Sequence, residues 1–121
     1  MSDRDYRLFL NDILESIEKI EKYTGHITFK DFKNNQMIID AVVRNFIIIG
    51  EASTNIPPEM HNKYSKIPWK KMKSMRNIVV HEYFGVKLNT TWNTAKKSLP
   101  KLKKDITKVI KQESKNKEVC P

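Results

Sequence analysis

Glycine, cysteine and long apolar runs are all scarce in this sequence, and each scarcity removes a class of molecule. The three glycines, Gly25, Gly50 and Gly85, stand alone, so no glycine-rich loop is present to cradle a phosphate. The one cysteine, Cys120, cannot build an internal disulfide, which suits a reducing compartment. No stretch approaches the roughly 18 uninterrupted apolar residues of a membrane span. The start, Met1-Ser2-Asp3-Arg4-Asp5, is charged and leads into no signal-peptide pattern. A soluble, cytoplasmic chain with no membrane contact is expected. The histidines, His26, His61 and His81, lie far apart with no ligand spacing between them, so no metal site or other cofactor is expected. Nucleophile-elbow serines and paired-carboxylate signatures are missing as well. The chemistry that remains is what a lone histidine and an arginine can perform.

Charge is plentiful and unevenly placed. Residues 1–51 carry 7 basic and 9 acidic side chains, a net of −2, whereas residues 52–121 carry 16 and 5, a net of +11. Such asymmetry suits a polyanionic partner: nucleic acid, an anionic surface or an acidic protein. A solvated lysine-rich helix face would give the same count, so charge alone does not decide. The 121 residues fit a single domain, expected over 1–113, with 114–121 a flexible basic tail. A core of this size is marginal by itself, which favours a homodimer.

Helical periodicity runs through the chain. Tyr6, Phe9, Leu10, Ile13, Leu14, Ile17, Ile20 and Tyr23 step by three and four, predicting an amphipathic helix that stops at Gly25. Thr28 reads as the N-cap of a short helical turn. Residues 34–54 are rich in isoleucine and valine, but Gln36, Asp40, Arg44 and Glu51 form one stripe only on a helix. A largely buried central helix is predicted there. Pro57-Pro58 breaks the chain ahead of a short turn, and Pro68 suits the first position of the next helix. That helix would bury Trp69, Met72, Met75, Ile78 and Val79 and present Lys70, Lys71 and Lys73. Leu88, Trp92, Ala95, Leu99, Leu102, Ile106 and Val109 form a heptad seam, capped at Asn89 or Thr90 and kinked by Pro100. The fold class is all-α: a four- to five-helix bundle with a kinked C-terminal helix.

The segment from Met75 to Phe84 gathers polar groups at the end of an apolar helix. Asn77 and His81, four residues apart, share a face, so the amide can orient the imidazole. Arg76 lies about 140° round the helix from His81, and two copies facing each other would bring both types into one cleft. Neutral imidazole can accept the proton of a ribose 2′-OH near neutral pH, and guanidinium can bind the attacked phosphate in bidentate fashion. The same residues also fit a helix cap, a surface ion pair and an interface tyrosine, and spacing alone leaves these alternatives open.

Three motifs in series narrow the field. Arg76-x4-His81-x-Tyr83 resembles the signature of the HepT-like toxins of the HEPN superfamily. Arg44 to Ala52, ending Gly50-Glu51-Ala52, is similar to that family's central-helix motif. Trp92 with Leu99-Pro100-x-Leu102 resembles its last helix, and together the matches span residues 5 to 112. The resemblance implies a HEPN-like bundle that dimerises around a shared cleft and cleaves RNA without metal, as the toxin of a type VII-like toxin–antitoxin pair. It implies Arg76 and His81 as catalytic, with Asn77 in support. It also implies a nucleotidyltransferase antitoxin that transfers AMP to Tyr83, blocking the cleft by bulk and charge. Glu51 and Arg44 would serve the cleft or form a buried ion pair. Lys70, Lys73 and Lys87 are candidate RNA contacts, Lys87 standing where relatives often have an acidic residue. The alternatives are a non-catalytic subunit that binds substrate or nucleotide for the nucleotidyltransferase, and a basic protein that only grips phosphates.

Overall fold

The first helix, α1 (Tyr6–Thr24), begins at Asp5, whose carboxylate accepts the backbone N–H of Arg7. Its buried stripe of Leu10, Ile13, Ile17 and Ile20 follows the predicted periodicity, and Glu15 pairs with Lys19 on the outside at 3.1 Å. A capping box opens α2 (Phe29–Lys33). Thr28 accepts the Asp31 N–H, and Asp31 accepts the Thr28 N–H, each at 3.1 Å. Together they satisfy two donors that a five-residue helix would otherwise leave open. The computed structural model describes residues 5–76 and 88–119, with side chains through Ser114.

The central helix, α3 (Gln36–Thr54), packs along α1 and buries Ile39, Val42, Phe46 and Ile49. Its isoleucines and valines are helical because tertiary burial outweighs the small χ1 penalty of branching. The polar stripe is real: Gln36, Asp40, Arg44 and Glu51 are all exposed, and Gln36 donates to Asp40 at 2.8 Å. Buried Asn45 and Ser53 return their side-chain hydrogens to the carbonyls of Ala41 and Ile49. Each thereby satisfies a polar group inside the core. The helix is less enclosed than its sequence implies, since Met37 is 83% exposed.

Helix α4 (Pro58–Lys63) starts at the predicted proline break. Helix α5 covers residues 69–76 as described, and the Met72 N–H bonds the Pro68 carbonyl at 3.0 Å. Pro68 is therefore the N-cap, one position ahead of its expected place. Helix α6 (Leu88–Asn93) contains Asn89 and Thr90 inside rather than as caps, because Leu88, packed on the core, is already helical.

A π turn, Thr94–Ser98, joins α6 to α7 (Leu99–Val119). There the Leu99 N–H reaches back five residues to the Thr94 carbonyl. This is the form that the proline irregularity takes. Pro100 has no N–H to offer the residue four before it and its ring crowds that carbonyl, so one wider turn relieves both problems. The seam is buried as predicted through Ala95, Leu99, Leu102, Ile106 and Val109. Its next position, four on, is Glu113, only 4% exposed. Glu113 accepts hydrogen bonds from Tyr6, from Tyr64 and, at 2.9 Å, from Lys63. Burial alone would raise its pKa, but the three donors outweigh that and hold the carboxyl below its usual range. The same contacts, with desolvation foremost, push the Tyr6 hydroxyl up to about 12. One carboxylate thus pins the far end of α7 to α1 and to the end of α4. All regular structure among the described residues is helical, and no described helix is long and apolar enough to cross a membrane.

Candidate active site

Two helices meet at Gly50 and Arg76. A Cβ at position 50 would stand 3.0 Å from the Arg76 Cβ, 3.1 Å from its backbone nitrogen and 3.3 Å from the Lys73 carbonyl oxygen. Any side chain there would hold α5 away from α3, so glycine is what permits this approach. The next residue, Glu51, forms an ion pair with the Arg76 guanidinium. Ala52, only 5% exposed, packs into the core on the inner side. Gly50, Glu51 and Ala52 therefore each have a distinct mechanical role: close approach, orientation of the arginine, and packing.

The buried pair of Glu51 with Arg44 considered from sequence does not form: both residues are exposed, and Glu51 joins Arg76 in a different, open ion pair. Its side chains are 46% and 49% exposed, because both sit at the solvent edge of the α3–α5 contact. At that exposure the pair adds only about 0–1 kcal/mol of stability. Its value lies in orientation, since a guanidinium has five donors and keeps several free while one carboxylate holds it. Lys73, three residues before Arg76, is exposed beside it, and Lys70 is exposed one turn earlier. Arg44 is exposed on the outer stripe of α3 and has no ion-pair partner among the described residues. Asn77, His81, Tyr83 and Lys87 lie outside the described residues.

The base of α5 is fixed from the other side. Trp69 is buried, donates its indole N–H to the Tyr64 carbonyl at 3.0 Å and stacks on His61 at 4.7 Å between centroids. The His61 ring nitrogen lies 3.3 Å from the Ser53 carbonyl oxygen. Burial first, and the nearby Lys73 charge second, lower the His61 pKa, favouring a neutral ring. His61 thus acts as a wedge between α3, α4 and α5. Sequence reading passed over it and over the mechanical role of Gly50. The stacking partner is eight residues away and shares no helix with it, so periodicity gave no signal.

The family model described as "Ribonuclease HepT-like" matches residues 13–109. The chain belongs to the HepT-like ribonuclease family. The match takes in Gly50, Glu51 and Arg76 together with the motif residues His81 and Tyr83. Among its relatives, "Putative RNase MJ1216" of Methanocaldococcus jannaschii is 43% identical over 111 residues, covering 92% of each chain. "Probable ribonuclease HepT" of Thermococcus cleftensis is 42% identical over 108 residues, covering 89% of this chain and 98% of the relative. A longer protein of M. jannaschii, "Gamma-glutamylcyclotransferase and putative RNase MJ0434", is 48% identical over 114 residues. This chain spans 51% of that relative and 94% of itself. No solved structure gives a significant match.

Proposed function

We propose that this HepT-like chain is a metal-independent endoribonuclease that works as a homodimer, with Arg76 and His81 as its catalytic residues. The observation that carries the reading is the construction around Arg76. Its backbone is seated on Gly50, its guanidinium is tethered by Glu51, and its free donors face solvent on a lysine-bearing helix. An arginine held this way in advance suits a phosphate whose charge grows during reaction.

In the proposed step the His81 imidazole takes the proton from a ribose 2′-OH. The freed oxygen attacks the adjacent phosphorus, and the bond from phosphorus to the 5′-oxygen breaks. A proton returned to that oxygen completes the balance, leaving a 2′,3′-cyclic phosphate and a 5′-hydroxyl. Arg76 binds the non-bridging oxygens throughout, with Asn77 orienting the imidazole. Lys70, Lys73 and Lys87 draw the RNA in by its phosphates. The homodimer reading has support on α3. Met37, Ala41, Arg44, Ile48 and Glu51 step by four and three along one side, where Met37 is almost bare and Ala41 and Ile48 stay half-buried. A second copy laid on that seam would bring two Glu51–Arg76 pairs toward each other.

The biological role proposed is that of the toxin of a two-gene pair, neutralised when a nucleotidyltransferase transfers AMP to Tyr83, a reading that the motif resemblance supports. Negative charge added there would repel RNA from an anion-binding cleft. The decisive assay incubates purified protein with RNA in EDTA. Cleavage to cyclic-phosphate ends is expected, abolished by His81→Ala and strongly reduced by Arg76→Ala. Intact RNA with the wild-type dimer would overturn the reading and favour a substrate-binding subunit instead.

A further inference from the structure

A second basic feature lies round the helix from Arg76. Helix α5 and the rod formed by α6, the π turn and α7 enclose a groove of about 620 Å³. Lys66 and Lys71 line one wall, Lys97 and Lys101 the other, and all four are exposed. None is joined to a carboxylate by any described ion pair, whereas Lys19, Lys63 and Lys103 each have one. Between the walls Pro68 and Met75 present apolar surface, with Phe46 and Leu102 beneath. Thr90, Thr94 and Ser98 add hydroxyls along the rod, and Asp105 marks one end. The π turn sets part of this wall, because Thr94, Lys97 and Ser98 all belong to it. Lys96, in the same turn, points elsewhere and donates to the Thr24 carbonyl at 2.9 Å.

We infer that this groove is an exosite for single-stranded RNA, holding nucleotides that flank the cleaved linkage. The inference rests on the ribonuclease reading for its purpose but on its own residues for its chemistry. Four ammonium groups with no described ion pair, set on two facing walls, give a cationic rim that suits a polyanion. An apolar floor between cationic rims suits unpaired bases, whose faces are free, and gains nothing from a duplex, whose bases are stacked inside. A second copy of this chain is a poor occupant, because a twofold contact would set these lysines against the same lysines. Arg76 and the groove flank α5, about 10 Å apart by the helix diameter. A strand of several nucleotides can engage both, whereas a dinucleotide at Arg76 reaches only one.

The test uses the intact chain and the double variant Lys97→Gln/Lys101→Gln, both carrying His81→Ala for binding measurements. Fluorescence anisotropy of a labelled 15-nucleotide oligouridylate is followed between 50 and 200 mM salt. Each lost phosphate contact removes about 0.7 from the logarithmic salt slope, so two lysines should lower it by about 1.4. Across that fourfold salt range, the variant should lose about 7-fold less affinity than the parent. Lys22→Gln/Lys30→Gln, with the same charge change elsewhere, should keep the parental slope. With His81 restored, cleavage of a dinucleoside monophosphate should be unchanged by the groove variant, while KM for the 15-mer rises. An unaltered slope and affinity in the groove variant would overturn the exosite, as would an equal loss in the Lys22/Lys30 control. Dissociation of a dimer by the groove substitutions would also overturn it, identifying a subunit interface. If wild-type protein cuts no RNA, the ribonuclease reading fails, and the salt slope still decides whether the groove binds the strand.

Discussion

Replacing Gly50 by alanine puts two opposed effects of similar size in competition, and their balance reads the α3–α5 contact directly. In a helix interior alanine is favoured over glycine by about 1 kcal/mol. If position 50 stood in open space, Gly50→Ala would therefore stabilise the protein by about that amount. Instead the added methyl meets the Arg76 Cβ at 3.0 Å and the backbone nitrogen of Arg76 at 3.1 Å. These are backbone-fixed atoms that cannot rotate away, so α5 must shift outward. Overpacking of this kind costs about 1–3 kcal/mol. The net expectation is a loss of about 0–2 kcal/mol, measured as a lower urea midpoint at unchanged m-value. Cleavage should suffer more than stability, because the outward shift falls on the arginine itself. A misplacement approaching 1 Å can cost about 100-fold in rate, so a fall in kcat of about 10-fold or more is expected. A variant stabler than wild type by about 1 kcal/mol would refute the crowding. A destabilised variant with undiminished cleavage would refute the link from crowding to Arg76.

Two further outcomes are expected. Glu51→Gln keeps the shape of the tether but removes its charge, so stability should change by no more than about 1 kcal/mol at this exposure, while kcat falls about 10-fold. An unchanged kcat with the pair removed would show that Arg76 needs no tether. Glu113 should shape the acid limb of stability. Its folded pKa lies below its ordinary 4.5, so the unfolded chain takes up the proton first as pH falls. The stabilisation is complete well above pH 4.5, begins to fall near that value and is lost as pH drops through the lowered folded value. Glu113→Gln should cost about 1.5–3 kcal/mol at neutral pH, the worth of a hydrogen bond to a charged group. Urea midpoints of wild type and variant should then converge between pH 5 and 3 (roughly the range where carboxylates titrate). Curves that stay parallel would show that Glu113 keeps one pKa in both states.

The helices were legible in the residues because a helix buries one face and repeats every 3.6 residues. The stripe on α1, the polar line of α3 and the seam from Leu88 to Val109 all state that period openly. The proline at 100 announced an irregularity, though not that a π turn would absorb it. The motif spacing pointed to the family through residues in series, Arg44 to Ala52 and Arg76 to Tyr83. Periodicity, however, reports only neighbours on the same helix. That Gly50 would touch Arg76, that Glu51 would hold it, and that His61 would stack on Trp69 depend on which helices come together. So do the convergence of Tyr6, Lys63 and Tyr64 on Glu113 and the facing of four lysines across a groove. These are contacts between chain segments up to 107 residues apart, as for Tyr6 and Glu113. Only the packing of the bundle, which trades chain entropy for buried surface across its whole length, could select them.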